Sequence, residues 1–307
     1  MHFWILGFGI RKGVGIMDQK KKENMQDSFW RNTVQKFMRH KVAMFSLVFL
    51  VVEILAVILL PLLMDLDPYT TNPGCFSMAP DERFLLGTDD VGRDVFSRLV
   101  YGGRVSISVG FVSALLSAAI GIPLGLLAGY YGGVVRMIIM RIVDIFMSFP
   151  AMIIQLVLVT VLGASSVSVM LVIGLLGWTG FARLTYSKVI SVKEQEYVEA
   201  SKASGATNSR QMFQYILPNS LAPLFVQFSF SVASAILQES CLSFLGLGVP
   251  VPTASWGNMI YYAQSLSTLV YRPWMWVPAG MILVATVLSI NFIGDGLRDA
   301  LDPKMKI

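Results

Sequence analysis

The chain has 307 residues, 55% of them hydrophobic and only 14% charged, with a net charge of +5 and a mean hydropathy of +0.65. A water-soluble domain carries roughly 25% charge, so this composition excludes an ordinary soluble enzyme or binding domain. The basic excess lies between apolar runs, with no aromatic-studded patch beside it, which points to a membrane face and not to a nucleic acid.

Taken in chain order, residues 1–41 are expected to form a polar N-terminal tail. Its opening, MHFWILGFGIRKGVGI, holds a short apolar run with almost no basic lead-in and makes a poor secretory signal. Met17, before Asp18-Gln19-Lys20-Lys21-Lys22, reads as an alternative start. A membrane-crossing helix needs about 20 apolar residues. Residues 42–64 meet that need, interrupted only by Glu53. Residues 105–131, 145–182, 211–238 and 273–294 contain no charge at all. The 145–182 window is long enough for two spans, broken at Gly163-Ala164-Ser165-Ser166. The predicted spans are therefore 42–64, 105–130, 143–163, 167–186, 220–239 and 277–296. This is an all-α, polytopic membrane protein of six transmembrane helices, embedded in the lipid bilayer of a cell membrane.

Lys and Arg set the expected orientation. With the N-terminus inside, the inner segments hold 19 of the 24 basic residues. The outer segments hold Arg83, Arg93, Arg98, Arg104 and Arg272, beside a cluster of acids in 65–104. This is the positive-inside bias. The expected division is a cytoplasmic tail over 1–41, a first span over 42–64, an extracytoplasmic loop over 65–104, a five-helix core over 105–296 and a cytoplasmic tail over 297–307. Cys75 and Cys241 fall on or near the outer side and are read as unpaired.

The inner loop, 187–219, is far longer than a connection between two spans requires. Ser191 with Glu194 reads as a capping box before a helical run. Gly205 reads as its C′ stop, and a second amphipathic set ends at Leu217-Pro218. Periodicity alone permits a solvated loop with some helix. The spelling is more specific: Glu199-Ala200-Ser201, then Gly205-Ala206, then Leu217-Pro218 resembles the EAA loop of ABC-importer permeases. Ser201 stands where that pattern usually has a second Ala, and Tyr215 where it often has Ile. In that family the loop is a coupling hairpin that enters a groove on a separate ATPase subunit.

The resemblance extends along the chain. Leu86-Gly87-Thr88-Asp89-Asp90-Val91-Gly92-Arg93-Asp94 precedes the second span. LSFLGLGVPVP and Ser255-Trp256-Gly257 follow the fifth, and the chain ends on Gly294-Asp295-Gly296-Leu297-Arg298-Asp299-Ala300-Leu301-Asp302-Pro303. These stretches resemble the C-type inner-membrane permeases of the dipeptide/oligopeptide/nickel subfamily. The resemblance implies the type I ABC-importer permease fold. It also implies a homologous second permease subunit, two cytoplasmic ATPase subunits and an extracytoplasmic solute-binding protein as partners. Peptides are the substrate it implies first, and nickel or another small solute is the alternative.

Within the spans, Ser113, Ser117, Gly121, Gly125 and Gly129 recur every four residues and are read as a helix-packing stripe. Pro123 and Pro150 are expected to kink their helices, and Pro150 is a candidate pathway or gate residue. Glu53, mid-span, must pair, protonate or face protein, and is read as a packing or partner-contact residue. Asp144 is expected to pair with Arg141. Glu239 is open to two readings, a pathway or gate residue or a structural hydrogen-bonding group.

No Lys follows a Gly, so there is no phosphate-binding G-K-S/T loop. The only histidines are His2 and His40, which leaves neither a membrane Ser/His dyad nor a histidine metal cluster. No catalytic residue, metal or cofactor is expected, and an intramembrane hydrolase is set aside. A secondary carrier is the remaining rival class. It would show paired repeats and ionisable residues along its path, whereas no repeat is visible and only Glu53 lies mid-span.

Overall fold

The structure, a computed structural model, describes residues 32–301. The apolar opening with Met17, and the last residues from Asp302-Pro303 onward, lie outside the described residues. The elements are α1 (32–39), α2 (Lys41–Leu63), α3 (Val95–Tyr131), α4 (Gly133–Ser148), α5 (Ala151–Leu162), α6 (Ser166–Lys193) and α7 (Glu196–Ala203). There follow α8 (Asn208–Phe244), α9 (Trp256–Ile260), α10 (Leu266–Tyr271) and α11 (Val277–Leu301). Among the described residues β structure is limited to a bridge between Thr88 and Asp94. Five helices, α2, α3, α6, α8 and α11, are each long and apolar enough to cross a membrane, while α4 and α5 reach that length only as a pair, bent by 87° at their junction.

The bend falls at Pro150, where a kink was expected, and the helix pair runs over 133–162 where the third span was expected over 143–163. Pro150 cannot continue a helical hydrogen-bond ladder and pushes the residue before it into extended geometry. Phe149 accordingly has φ −101° and ψ 145°. The loop expected to end at residue 104 ends ten residues earlier, because Asp94 caps α3. Its carboxylate accepts from the Phe96 and Ser97 backbone N–H groups at 3.3 and 2.8 Å. The Ser191/Glu194 capping box does not form. Residue 191 lies inside α6, which continues to Lys193, and the N-cap of α7 is Gln195, with no side-chain cap. Tertiary packing overrides the local signal there: Val189 is buried against Leu126 and Tyr130, and Val192 packs beside it.

The bundle is organised around α3, which lies against α6 along the small-residue stripe. A Cβ at Gly121 would come within 2.6 Å of Phe181 Cβ, one at Gly125 within 2.6 Å of Thr185 Cβ, and one at Gly129 within 2.6 Å of Val189 Cγ1. Where the stripe carries serine, the hydroxyl is satisfied across the seam. Ser117 Oγ donates to Gly174 O at 2.8 Å and Ser113 Oγ to Met170 O at 3.0 Å. Backbones approach this closely only when side chains are absent or short. The remaining elements pack around this pair. Near the start of α2 and the end of α11, Gly296 meets Ala43 and Phe37. Glu53 is buried between α2 and α11, accepting from Thr286 Oγ1 at 2.6 Å.

The LGTDDVGRD segment and the region between α8 and α11 close one end of the bundle. Asp89 is buried there with two arginines: Arg93 Nε donates to Asp89 Oδ2 at 2.7 Å, and Arg98 Nε lies 3.5 Å away. Arg93 also donates to Tyr262 Oη at 3.0 Å, and Arg98 to Pro252 O at 3.3 Å, tying the first loop to the last. The Tyr262 phenol is pushed upward in pKa by burial and by the neighbouring Asp89 charge. The LSFLGLG run is an ordinary helix stop. Gly246, at φ +80°, occupies C′, Gly246 N–H donates to Ser243 O and Leu247 N–H to Leu242 O, each at 3.0 Å. This is the Schellman pattern.

Two outcomes follow from this packing. Gly125→Leu should destabilise the detergent-solubilised protein by more than about 2 kcal/mol, the scale of overpacking in a tight core. Gly280→Leu, where a Cβ meets no atom within 4 Å, should leave thermal unfolding nearly unchanged. Asp89→Ala strands two buried guanidinium groups and should cost about 3–5 kcal/mol, whereas the same change at exposed Asp90 should be close to neutral. Melting curves of the four purified variants check both.

Candidate functional site

The site has two parts, a helical hairpin at one end of the bundle and, within it, a cleft whose apolar wall carries a row of amides and hydroxyls. In the hairpin, α7 ends at Gly205, whose φ is +80°. Gly205 N–H donates to Lys202 O at 3.0 Å and Ala206 N–H to Ser201 O at 3.1 Å, a second Schellman stop. The chain then reverses into α8, where Thr207 Oγ1 caps Arg210 N–H at 3.4 Å. Leu217-Pro218 does not end a separate arm, as expected, but lies inside a continuous 37-residue helix. A π-helical turn over Gln211–Ile216 makes that possible. Leu217 N–H donates to Met212 O five residues back, widening the ladder just before the proline that cannot donate to it.

The hairpin is fastened to the last turn of α3. The Tyr130 hydroxyl lies 2.9 Å from Asn208 Oδ1 and 3.1 Å from Gln211 Oε1. Gln211 Nε2 donates to Ala206 O at 2.9 Å, and Lys193 Nζ donates to Tyr130 O at 2.6 Å. Val198 is the buried anchor of α7, packed with Leu126, Met212 and Ile216. With Val198 turned inward, Glu199 and Ala200 face outward, as does Gly205. Ser201 is half-buried and its hydroxyl donates to Val198 O at 2.7 Å, so its polarity is satisfied within the helix. Tyr197 and Phe213 add exposed aromatic surface to the same end.

The cleft, of about 380 Å³, lies between α3, α5, α6 and α8. No lining residue is charged. Ser113 and Ser117 face it from α3, Gln155 from α5, and Gln227, Ser231, Ser234 and Gln238 from α8. Gln155 Nε2 donates to Gln238 Oε1 across the cleft. Gln238 Nε2 donates to Ser234 Oγ at 2.8 Å, and Gln227 Nε2 to Ser231 Oγ at 3.4 Å. Met147 and Ala151, which flank the break at Phe149-Pro150, form part of the wall. The α8 row was not singled out in the sequence. The signal was there: polar residues at 227, 231, 234 and 238, spaced four, three and four apart in a mostly apolar span, share one helical face.

Glu239, next in sequence, is absent from the cleft lining. It is fully buried and hydrogen-bonded on the other side of α8. Ser106 Oγ donates to its Oε2 at 2.9 Å and Ser243 Oγ to its Oε1 at 2.7 Å. The Trp256 N–H donates to Ser106 Oγ at 3.2 Å. Of its two readings, this geometry supplies the structural one: the carboxylate joins α8, α3 and the Ser255-Trp256-Gly257 turn. Asp144 pairs with Arg183 on α6 at 2.6 Å and not with Arg141, because the facing helix brings the guanidinium closer than its own. Cys75 and Cys241 are both free.

Comparison with known proteins gives one answer. The family described as binding-protein-dependent transport system inner membrane component matches residues 121–307. The N-terminal transmembrane domain of oligopeptide transport permease C matches residues 28–80. The dipeptide transport system permease protein DppC of Alkalihalophilus pseudofirmus is 42% identical over 277 residues, 90% of each chain. The oligopeptide transport system permease protein OppC of Bacillus subtilis is 39% identical over 290 residues, 94% of each chain. Among solved structures, an inward-facing MetNI methionine ABC transporter superposes with a TM-score of 0.56 at 20% identity, over 67% of this chain and 96% of that one. Its likeness bears on the fold alone. Long apolar helices, a hairpin built on a glycine stop and a match reaching from residue 121 to the C-terminus agree: the chain belongs to the inner membrane components of binding-protein-dependent transport systems.

Proposed function

We propose that this chain forms one half of the transmembrane pathway of an ATP-driven importer of di- and oligopeptides. The observation that carries the substrate class is the likeness to dipeptide and oligopeptide permeases over nine-tenths of the chain. In this reading a homologous second permease completes the pathway, two ATPase subunits bind the hairpin ends, and an extracytoplasmic solute-binding protein delivers peptide. The second permease would cover α4 and α5, which bury only Val143, Gln155 and Val159 within this chain. The chain is a multi-pass protein of the inner membrane, and its basic distribution supports both termini in the cytoplasm.

The geometry supports a mechanical role for the hairpin. The outward face of α7 offers Glu199, Ala200 and Gly205 to an ATPase groove. Closure of the ATPase pair would push on α7, whose anchors are Val198 and the Tyr130 knot at the end of α3. The tight α3–α6 seam would carry that displacement as a rigid pair to the cleft between α3, α5, α6 and α8. The bend at Phe149-Pro150 lets α4 and α5 move separately where they border it. Binding energy at the hairpin would thus favour the outward-open arrangement, and hydrolysis would release it.

Two measurements test this reading. Gly205→Asp should abolish peptide uptake and the co-purification of the ATPase subunits while leaving the amount of membrane-inserted protein nearly unchanged. The site supports that separation: a Cβ at Gly205 meets no atom of this chain within 4 Å, and the positive φ costs about 1 kcal/mol. Normal uptake by this variant would remove the hairpin as the coupling element. For orientation, Glu82→Cys and Ser204→Cys are placed singly in a background lacking Cys75 and Cys241. In intact cells a membrane-impermeant maleimide should label residue 82 and not residue 204, and the reverse pattern would invert the topology.

A further inference from the structure

The polar groups of the cleft are amides and hydroxyls set among apolar side chains, and no lining residue is charged. Polar side chains at membrane depth find no partners in lipid, so they face protein or a pathway. On α8, Gln227, Ser231, Ser234 and Gln238 form one row whose ends are separated by about 16 Å of helix rise. Gln155 reaches the row from α5.

A carboxamide carries two N–H donors and an oxygen with two acceptor positions. Among the described residues, Gln238 uses one acceptor position for Gln155 and one donor for Ser234. Gln227 uses one donor for Ser231. The row therefore keeps spare donors and acceptors on residues that line the groove. An extended peptide presents its own N–H and C=O groups in alternation at about 3.3 Å per residue, so about five residues would match the row. Such bonds address the backbone, which every peptide shares. A fixed charge in a groove of lowered dielectric would sort cargo by side-chain charge, and this wall has none.

Resting on the peptide reading above, the geometry points to the row Gln227–Ser231–Ser234–Gln238, completed by Gln155, as the substrate-contacting surface of this subunit. It grips extended peptide by backbone hydrogen bonding and is neutral toward side-chain charge. These residues set what passes by what they lack.

The test is performed in cells carrying the whole transporter. Initial uptake rates of alanyl-lysyl-alanine and alanyl-glutamyl-alanine are compared for wild type and for Gln238→Arg, whose guanidinium stays charged in any environment. The lysyl-to-glutamyl ratio should fall at least tenfold, because the new cation repels one cargo and attracts the other. In a variant that still assembles with its ATPase subunits and takes up peptide, an unchanged ratio overturns the assignment. If Gln238→Arg assembles no transporter, Gln227→Arg reads the same ratio. Independently, a tripeptide containing benzoylphenylalanine, photolysed during turnover by the wild-type complex, should attach within residues 227–238 or at Gln155. Attachment confined to other segments of this chain would also overturn it. Failure of the wild-type complex to take up either peptide is a different result: it overturns the peptide reading itself.

Discussion

The close approach of α3 and α6 is the constraint on which the rest of the molecule depends. In a bilayer the hydrophobic effect does not drive helices together, since lipid tails are as apolar as leucine, so association rests on packing and on hydrogen bonds across the seam. Gly121, Gly125 and Gly129 provide the first, and Ser113 and Ser117, bonded to carbonyls of α6, provide the second. The resulting pair is stiff because any relative slide drives side chains into backbone. At one end the seam holds Tyr130, to which the hairpin is tied. In the middle its serines turn partly toward the cleft.

The charges are placed in keeping with this frame. Asp89, Arg93 and Arg98 compensate one another at the capped end, and Glu239 sits behind α8 among serine hydroxyls and not in the groove. Glu53 is satisfied on one oxygen by Thr286 where α2 meets α11. Each ionisable group near membrane depth thus fastens one element to another. The polar groups left to the cleft are neutral amides and hydroxyls, set among apolar side chains such as Ile173, Leu176 and Phe230. Conduction through any pathway needs moderate affinity, strong enough to admit and weak enough to release.

The hairpin shows how local backbone chemistry serves that frame. Gly205 reverses the chain with no side chain at the tip, and the π turn lets α8 pass through Leu217-Pro218 without breaking. The second arm of the hairpin is the start of a 37-residue helix. The row of glutamines and serines lies on the same α8, so one helix carries both the second arm of the hairpin and one wall of the cleft.

The sequence by itself determined the class and much of the plan. Charge-free windows marked the spans, the small-residue stripe marked a packing face, and Gly205 marked a helix stop, because each depends on residue type at fixed spacing. It misplaced what depends on neighbours distant in the chain. The start of α3 was hidden by Arg98 and Arg104, whose charges are satisfied by contacts with other segments. The Ser191/Glu194 cap was legible locally but lost to burial of Val189 and Val192 against α3. Asp144 found its partner on the facing helix and not one turn away. The polar row on α8 was written at helical spacing, yet its meaning rested on α5 bending at Phe149-Pro150 to bring Gln155 opposite Gln238. Periodicity records which face of a helix is polar, and only the packing of four helices decides whether that face meets lipid, protein or a cleft.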